Sequence, residues 1–157
     1  MSIARFTRVS PAQWAKDAPA DALPLDSIPL PVRATRDSAG HDFVCPVSVT
    51  VAPGERALIP SGIRCEMESG WVLLLFPRSS LGIRRGLRLG NTTGVIDADY
   101  AWAENEGHIL ISVVNGGTAP LTLQAGERFV QGVFVPFGTA DDGAEGTRSG
   151  GLGSTGA

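Results

Sequence analysis

The sequence contains too few metal-binding side chains for a zinc centre. It has two cysteines, Cys45 and Cys65, and two histidines, His41 and His108, in 157 residues. Neither pair has the short spacing of zinc ligands, so a site of three histidines, or of histidine and cysteine together, is excluded. We interpret both cysteines as small buried residues of a protein that works in a reducing cytoplasm.

Long apolar runs are also missing. No stretch approaches the ~20 apolar residues of a membrane-spanning helix, and the N-terminus lacks the apolar core of a signal peptide. The formal net charge is −3, so no excess of positive charge favours binding to DNA, RNA or an anionic membrane. We therefore expect no nucleic-acid partner and no membrane partner. The basic residues that cluster in the sequence are Arg78, Arg84, Arg85 and Arg88.

Glycine and proline, in contrast, are abundant. The 20 glycines and 11 prolines separate short apolar segments, and turn signals recur at intervals of roughly ten residues. This pattern predicts an all-β sandwich or barrel. A chain of this length builds one core. We predict a single β domain over residues 1–137 and a flexible, glycine-rich C-terminal arm over residues 138–157.

The N-terminal region predicts one strand and one short helix before the main domain. Residues 3–9 alternate weakly between apolar and polar side chains, which is typical of a strand. Ser10 is predicted to cap the helix, with Pro11 as its first residue and Gln13 as the partner in a capping box. Residues 18–31 are rich in proline and alanine and are predicted to form an extended loop, so residues 10–30 together resemble an insertion.

Residues 91–100, with the sequence NTTGVIDADY, concentrate polar groups between two apolar segments. The turn-forming start and the β-branched Val95 and Ile96 predict a β-hairpin. Backbone N–H and C=O groups at its tip can recognise a flat polar ring, and Asp97 and Tyr100 lie beside that tip. An isolated Asp-x-Asp is more often a solvated surface turn, so this segment alone does not define a site.

Two further segments suit the binding of phosphate. The apolar run at residues 71–76 predicts a strand buried on both faces, and it leads directly into Arg78 and Ser79, whose donors match an oxyanion. The segment 148–156 combines glycines with Arg, Ser and Thr, so that its backbone N–H groups can approach phosphate oxygens closely. It is not a P-loop, because the Gly-Lys-Ser/Thr sequence is absent.

Five segments, taken in order, resemble the trimeric dUTP diphosphatase (dUTPase) family. Each alone is a modest signal, whereas five in the same order are a strong one. The resemblance extends from about residue 30 to residue 156. The segments are 38–42 (SAGHD), 77–81 (PRSSL), 94–100 (GVIDADY), 126–131 (GERFVQ) and 148–156 (RSGGLGSTG).

The resemblance implies a distorted jelly-roll-like β subunit. Three such subunits form a homotrimer with shared active sites, and the flexible arm closes over a site. The implied reaction is hydrolysis of dUTP to dUMP and pyrophosphate with Mg²⁺. This reaction limits the incorporation of uracil into DNA and supplies dUMP for the synthesis of dTMP.

The resemblance also implies a role for each matching residue. Asp97 would polarise the water that attacks the α-phosphorus. Asp42 would hold the water shell of a Mg²⁺ ion chelated mainly by the triphosphate. Tyr100 would stack under the deoxyribose and exclude a 2′-hydroxyl. The phosphate-binding residues would be Arg78, Ser79, Gln131 and Arg148; the uracil-binding residues Asn91, Gly94 and Ile96, covered by Leu152; and further substrate-binding residues Ser80, Ser154 and Thr155.

Three positions depart from the family pattern. Leu152 stands where the family usually has Phe, so it covers uracil without an aromatic face. Ser80 replaces the glycine of the usual Arg-Ser-Gly. A longer excursion over residues 101–107, which carries Trp102, replaces the glycine that usually follows soon after Tyr100.

Two other functions were weighed against dUTP hydrolysis. A dCTP deaminase resembles this chain in its Arg-Ser-Ser-Leu and Ile-Asp segments, but that family needs a general-base glutamate on the strand after the hairpin, and residues 109–115 contain none. The second alternative is a regulatory protein in which nucleotide occupancy controls a protein partner, with the arm and Trp102 as the places to look for that role. The presence of Asp97 favours catalysis.

Overall fold

The structure is a computed structural model that describes residues 2–141, 146 and 150. Its elements confirm the predicted all-β class, because strands dominate and helices are short. The strands are β1 (Ala4–Arg8), β2 (Val32–Arg33), β3 (His41–Val44), β4 (Val49–Val51), β5 (Arg56–Pro60), β6 (Ile63–Met67), β7 (Trp71–Pro77), β8 (Leu87–Leu89), β9 (Gly94–Ile96), β10 (Leu110–Asn115), β11 (Leu121–Leu123) and β12 (Arg128–Pro136). The α-helices are α1 (Pro11–Asp17) and α2 (Ser79–Arg85), and 3-10 helices cover Leu25–Ser27 and Ala98–Trp102.

The strands form open sheets in a jelly-roll-like arrangement, as predicted. The largest sheet has the order β2-β3-β12-β7-β9, and a three-stranded sheet has the order β5-β10-β8. Two-stranded sheets join β1 to β6 and β11 to β4. All pairs are antiparallel. Since β12 lies between β3 and β7, it aligns residues that are far apart in sequence along one edge of the largest sheet.

The N-terminal strand and helix were predicted correctly, but the capping box was wrong. Ser10 Oγ accepts a hydrogen bond from the N–H of Gln13 at 3.1 Å, as an N-cap residue does. The side chain of Gln13, however, donates to Asp17 instead of accepting from Ser10. The N–H of Ser10 donates to Glu106, at 2.7 Å. The helix is therefore completed by a residue from a distant loop.

The predicted loop after α1 is held firmly against the domain. It contains the 3-10 turn Leu25–Ser27, and the following Ile28 is fully buried. The side chain of Arg8 donates to the carbonyl oxygen of Ile28 at 2.9 Å. Burial of one large apolar side chain contributes about 1.5–3 kcal/mol relative to exposure, so Ile28 anchors this segment to β1 and the core.

The predicted hairpin at residues 91–100 is wrong as a ladder-paired hairpin. The strands on either side of the turn belong to different sheets, because β8 pairs with β10 and β9 pairs with β7. The sequence signals of the turn and of β9 were correct, but they do not specify which strand each one joins. Gly94 lies opposite Leu75, and a Cβ atom at Gly94 would come within 2.9 Å of the Leu75 side chain. Glycine thus permits the close packing of β9 on β7.

The strand β7 and the segment after it also differ from expectation. In the single chain β7 is fully buried only on the face that carries Leu73 and Leu75, and the alternate residues are partly exposed. After Arg78 the chain forms the helix α2, which was not predicted because Gly82 interrupts its sequence. Burial of Leu81 and the left-handed Gly86 at the C-terminal end fix this helix.

The core is continuous between the sheets and includes both cysteines, as predicted. Cys45 and Cys65 are free and buried. Burial raises the pKa of Cys45 to about 11 and that of Cys65 to about 12, so both thiols stay protonated and unreactive at neutral pH. None of the helices in the described ranges has the length and apolar character needed to cross a membrane.

Candidate functional site

One group of predicted site residues meets where β3, β12 and β7 lie side by side. Strand pairing places Asp42 opposite Gln131, and Gln131 opposite Phe76. Since β7 ends at Pro77, Arg78 and Ser79 follow at the same edge of the sheet. The Gln131 amide donates to the carbonyl oxygen of Pro77 at 3.4 Å. The structure therefore brings together residues from three of the segments that were singled out in the sequence.

The carboxylate of Asp42 is bound by two guanidinium groups. Arg78 Nε lies 3.1 Å from Oδ1, and Arg128 Nη1 lies 3.1 Å from Oδ2. The Asp42 side chain is only 9 % exposed, whereas those of Arg78 and Arg128 are 30 % and 52 % exposed. One buried negative charge thus fixes two positive charges that face solvent, which leaves a surplus of one positive charge for an anion. We call this group the anion cluster: Asp42, Arg78, Arg128 and Gln131.

Arg128 was missed as a site residue by the sequence reasoning. Gly126 and Glu127, which precede it, are typical of a turn, and the sequence assigns no role to Arg128 itself. The only available signal was its position inside the segment GERFVQ, which also contains Gln131. The register shift between Arg128 and Val130 in the pairing of β12 with β3 marks a local bulge at this position, and bulges commonly redirect side chains beside functional sites.

The first turn of α2 carries the two predicted serines. Ser79 and Ser80 are both exposed, immediately after Arg78. The N–H of Arg78 donates to the carbonyl oxygen of Phe129 at 3.1 Å, so the start of α2 is tied to β12. The replacement of glycine by serine at position 80 is compatible with this helix, because serine costs less in a helix than glycine does.

The second group of predicted residues lines a pocket beside β9. The pocket has a volume of about 290 Å³ and lies between β9 and the sheet of β5, β10 and β8. Its polar wall includes Ser112 and the Asn91 side chain, and its apolar wall is formed mainly by leucine and isoleucine. A mostly apolar pocket with few polar groups is typical of a small-molecule site. The predicted uracil-binding residues Asn91, Gly94 and Ile96 all line it.

Asp97 directly follows the residue of β9 that lines the pocket. It is half-buried and lies at the N-terminal end of the 3-10 helix Ala98–Trp102. Within that helix Tyr100 is only 5 % exposed. Its hydroxyl donates to the carbonyl oxygen of His108 at 2.8 Å and accepts from the amide of Asn105 at 2.9 Å. We call residues 94–97 the pocket segment. The tyrosine that follows this segment is thus held rigidly, and most of its surface is covered in the single chain.

The single chain does not bring Asp97 to the anion cluster. Because Leu73 pairs with Ile96 in an antiparallel ladder, Asp97 continues β9 beside Val72. Arg78 is six residues further along β7, which corresponds to about 20 Å at the rise of an extended strand. The two groups therefore lie toward opposite ends of β7.

The remaining predicted residues cannot be placed. Arg148, Leu152, Ser154 and Thr155 lie outside the described residues, so their roles stay predictions. The proposed boundary between domain and arm at residue 137 also stays a prediction, although the last strand ends close to it, at Pro136.

Comparison of the chain with known proteins shows which family contains similar sequences and structures. A family model described as dUTPase matches residues 26–156. A deoxyuridine 5′-triphosphate nucleotidohydrolase of Lactococcus lactis is 44 % identical over 134 residues, which cover 83 % of this chain and 89 % of that protein. The crystal structure of a dUTPase from Streptococcus mutans superimposes with a TM-score of 0.69 at 37 % identity, and the match covers 87 % of this chain and 98 % of that one. A dUTPase of the Staphylococcus aureus phage phi11, described with a structural Mg(II) ion, has the same fold at 20 % identity, with a TM-score of 0.67 and coverage of 89 % and 94 %.

Proposed function

The chain belongs to the dUTPase family, and from this premise we propose that it is a dUTP diphosphatase that hydrolyses dUTP to dUMP and pyrophosphate. The observation that carries the proposal is the family match over residues 26–156, together with the two groups of site residues that fall inside it. The pocket beside β9 would receive uracil and the anion cluster would receive the phosphates.

Asp97 is proposed as the group that activates water. It follows the pocket-lining Ile96 without an intervening residue, so its carboxylate stays close to a nucleotide whose base occupies the pocket. A half-buried carboxylate in that position orients a water molecule and accepts its proton as the water attacks the α-phosphorus. Fixed geometry contributes as much as basicity, because attack requires alignment with the leaving pyrophosphate.

The anion cluster is proposed to bind the triphosphate. Arg78 and Arg128 are oriented by the same carboxylate, so their remaining N–H donors are arranged before the ligand arrives. Preformed donors stabilise the charge that develops on the phosphate oxygens without reorganisation during the reaction. Gln131 and Ser79 add neutral donors at the same edge. Arg148 of the glycine-rich arm would add a further guanidinium when the arm closes.

The donor set of the chain fits a Mg²⁺ ion that is bound mainly through the substrate. Within the described part of the chain, no three carboxylate, imidazole or thiolate groups converge to form a metal site. Asp42 Oδ2 accepts a hydrogen bond from Arg128, and Oδ1 forms an ion pair with Arg78. Each oxygen keeps a lone pair for a metal-bound water. Mg²⁺ retains several of its waters in proteins, so Asp42 would hold it through the water shell. When bound, the ion neutralises charge on the phosphate oxygens.

The active site is proposed to be shared between the subunits of a homotrimer. A triphosphate is much shorter than the separation of about 20 Å between Asp97 and Arg78 along β7, so the two groups of one chain cannot act on one substrate. The anion cluster of one subunit must therefore meet the pocket of another. Leu58 and Val95, next to the pocket, are 56 % and 57 % exposed, and such apolar surface is suited to burial between subunits.

The free, buried cysteines support the expected location in a reducing cytoplasm. The alternative of a dCTP deaminase is disfavoured, because β10 has the sequence LISVVN and supplies no general-base glutamate. Deamination requires a group that transfers protons at the base ring. The acidic residue nearest in sequence to this pocket is Asp97, which follows the pocket-lining Ile96 and is not itself part of the lining.

The test is incubation of the protein with each deoxynucleoside triphosphate and Mg²⁺, with pyrophosphate and nucleoside monophosphate measured as products. We expect pyrophosphate and dUMP from dUTP, and background release from the other nucleotides. Release of ammonia from dCTP would instead identify a deaminase. Absence of pyrophosphate from dUTP would overturn the proposed function.

A further inference from the structure

A polar network outside the catalytic groups joins α1 to the excursion at residues 101–107. We call it the α1 clamp: Ser10, Asp17, Asn105, Glu106 and His108. Its members come from the two parts of the chain that depart most from the family pattern, the N-terminal insertion and the segment after Tyr100. The structure brings these two parts into direct contact with each other.

The inner end of the clamp holds the hydroxyl of Tyr100. This hydroxyl donates to the carbonyl oxygen of His108 and accepts from the Asn105 amide, at 2.8 and 2.9 Å. The same side-chain amide also donates to the His108 carbonyl oxygen at 3.3 Å, and Asn105 Oδ1 accepts from the N–H of Gly107 at 3.2 Å. Both hydrogen-bonding functions of the tyrosine are thus satisfied, so rotation or displacement of the ring breaks at least one bond.

His108 transmits this restraint to α1. Its side chain is fully buried. Nε2 accepts from the N–H of Gly62 at 2.8 Å, so the ring proton is on Nδ1 and is donated to Asp17 at 2.5 Å. Trp14 of α1 packs against the imidazole with ring centroids 5.9 Å apart. The residue whose carbonyl oxygen holds Tyr100 is therefore fixed from both sides by the core and by α1.

Glu106 fixes the excursion to the start of α1. Its carboxylate accepts from the N–H and the hydroxyl of Ser10, at 2.7 and 2.6 Å. The residue adopts a φ of 59°, a left-handed conformation that disfavours residues with a Cβ atom. Glycine or asparagine would suit this backbone better. The use of glutamate indicates that the contact with Ser10 compensates for the unfavourable conformation.

We propose that the α1 clamp positions Tyr100, with Asn105 as the positioning residue in direct contact, and thereby sets the discrimination of the active site between deoxyribose and ribose. The inference rests on the proposed function, in which Tyr100 lies under the sugar. A ring excludes a 2′-hydroxyl only if it cannot retreat, because a small displacement makes room for one oxygen atom. The clamp supplies the rigid support that this exclusion requires.

The test compares kcat/KM for dUTP with kcat/KM for UTP in wild type, Asn105→Ala and Tyr100→Phe. Both variants keep the tyrosine or phenylalanine ring and remove the bond between Asn105 and the hydroxyl. We expect the ratio of the two values to fall by about two- to tenfold in each variant, the range that corresponds to the loss of one or two hydrogen bonds. Glu104→Ala is the matched control, since Glu104 is an exposed residue of the same excursion and should leave the ratio unchanged.

A second pair of variants tests the outer end of the clamp without touching Tyr100. Glu106→Gly relieves the backbone strain but removes the bonds to Ser10, whereas Glu106→Gln keeps the side chain and an acceptor. We expect Glu106→Gly to lower the ratio of kcat/KM for dUTP to kcat/KM for UTP, and we expect Glu106→Gln to retain most of the wild-type ratio.

The outcomes separate the clamp from the reaction itself. If the variants melt at a lower temperature while the dUTP/UTP ratio stays at the wild-type value, the network is only structural and the proposal is wrong. If the wild-type protein hydrolyses neither nucleotide, the proposed function fails and the clamp is not at issue. A lower ratio in Asn105→Ala, with Glu104→Ala at the wild-type value, supports the proposal.

Discussion

The anion cluster and the pocket segment are held in place in different ways. The anion cluster lies on central strands of the largest sheet and is fixed by ion pairs to one buried carboxylate. The pocket segment lies on β9, at the edge of that sheet, and is fixed by close backbone packing and by the α1 clamp. We call these two groups the two halves of the site. Each half is preformed within one chain, yet the two halves lie toward opposite ends of β7. In the proposed function the catalytic unit is therefore an assembly of subunits, although each of its parts is a property of the fold of one chain.

The largest expected effect concerns the pocket half alone. Asp97→Asn keeps the shape of the side chain but removes its ability to accept a proton, so kcat should fall by on the order of 10² or more. Binding of a non-hydrolysable dUTP analogue should remain close to wild type. Asp99→Asn, the same change two residues away, is the control and should retain most activity. Turnover by Asp97→Asn near the wild-type rate would remove Asp97 from the mechanism.

The next prediction tests the separation of the two halves. Asp97→Asn and Arg78→Ala should each be nearly inactive alone, because each variant damages one half in every site. When the two are unfolded together and refolded as mixed trimers, sites that combine two intact halves should form. Random mixing then restores about a quarter of the wild-type activity. Mixed trimers, identified by a tag on one variant, that stay inactive would show that both halves of a site come from the same chain.

A smaller effect is expected at Arg128, the member of the anion cluster that was not predicted. Arg128→Gln removes a charged donor that is half exposed, so we expect KM for dUTP to rise by about three- to tenfold while kcat changes little. Arg84→Gln, which changes another exposed arginine of the same basic region, should leave KM unchanged. An unchanged KM in Arg128→Gln would limit the role of Arg128 to holding Asp42.

The smallest expected effect is a dependence of stability on pH through His108 of the α1 clamp, which supports the pocket side of the comparison. Burial lowers the pKa of His108 below its ordinary value, so in an interval below pH of about 6.5 the unfolded chain binds a proton that the folded chain does not. The free energy of unfolding therefore has its full value with respect to His108 above that pH, and it declines as the pH falls toward the folded-state pKa of this residue. Burial alone would raise the pKa of Asp17, but hydrogen bonds from Gln13 and His108 outweigh it and lower this pKa, so its contribution is lost only under more acidic conditions.

Thermal unfolding between pH 5 and 7.5 measures this dependence. Wild type should lose stability toward the acidic end, whereas His108→Gln, which cannot titrate at this position, should show a flatter profile. Equal slopes for the two proteins would mean that His108 does not carry the effect.

Local signals in the sequence predicted local structure well. The N-cap at Ser10, the turn before β9 and the strands predicted at residues 3–9 and 71–76 depend on neighbouring residues, and all were correct in position. The partner of Ser10 was not predictable, because Glu106 lies 96 residues away and becomes a neighbour only through the packing of α1. The hairpin failed for the same reason, since β8 and β9 have the right sequence for strands but different partners.

For the site, too, local sequence signals were informative, whereas contacts between distant residues were not predictable. Asp42, Arg78 and Gln131 of the anion cluster were singled out in the segments that resemble a family, but Arg128 was not. The ion pairs of Asp42 with both arginines depend on the alignment of β3, β12 and β7. The distance between Asp97 and Arg78 is likewise a property of strand register. Spacing along the sequence does not show that Asp97, after β9, and Arg78, after β7, lie toward opposite ends of β7.

The position of β9 at the edge of its sheet creates a risk of aggregation that the short length of the strand limits. Among the described strands β9 pairs only with β7. One side of its backbone is therefore unpaired within the described sheet, which leaves it available to a base in the proposed function and equally to a strand from another molecule. Edges of this kind promote aggregation when they are long and flat. Here the strand has three residues and is followed closely by the 3-10 helix Ala98–Trp102. The exposed edge is therefore too short to recruit a foreign strand, although the proposed contact with a small ring needs no greater length.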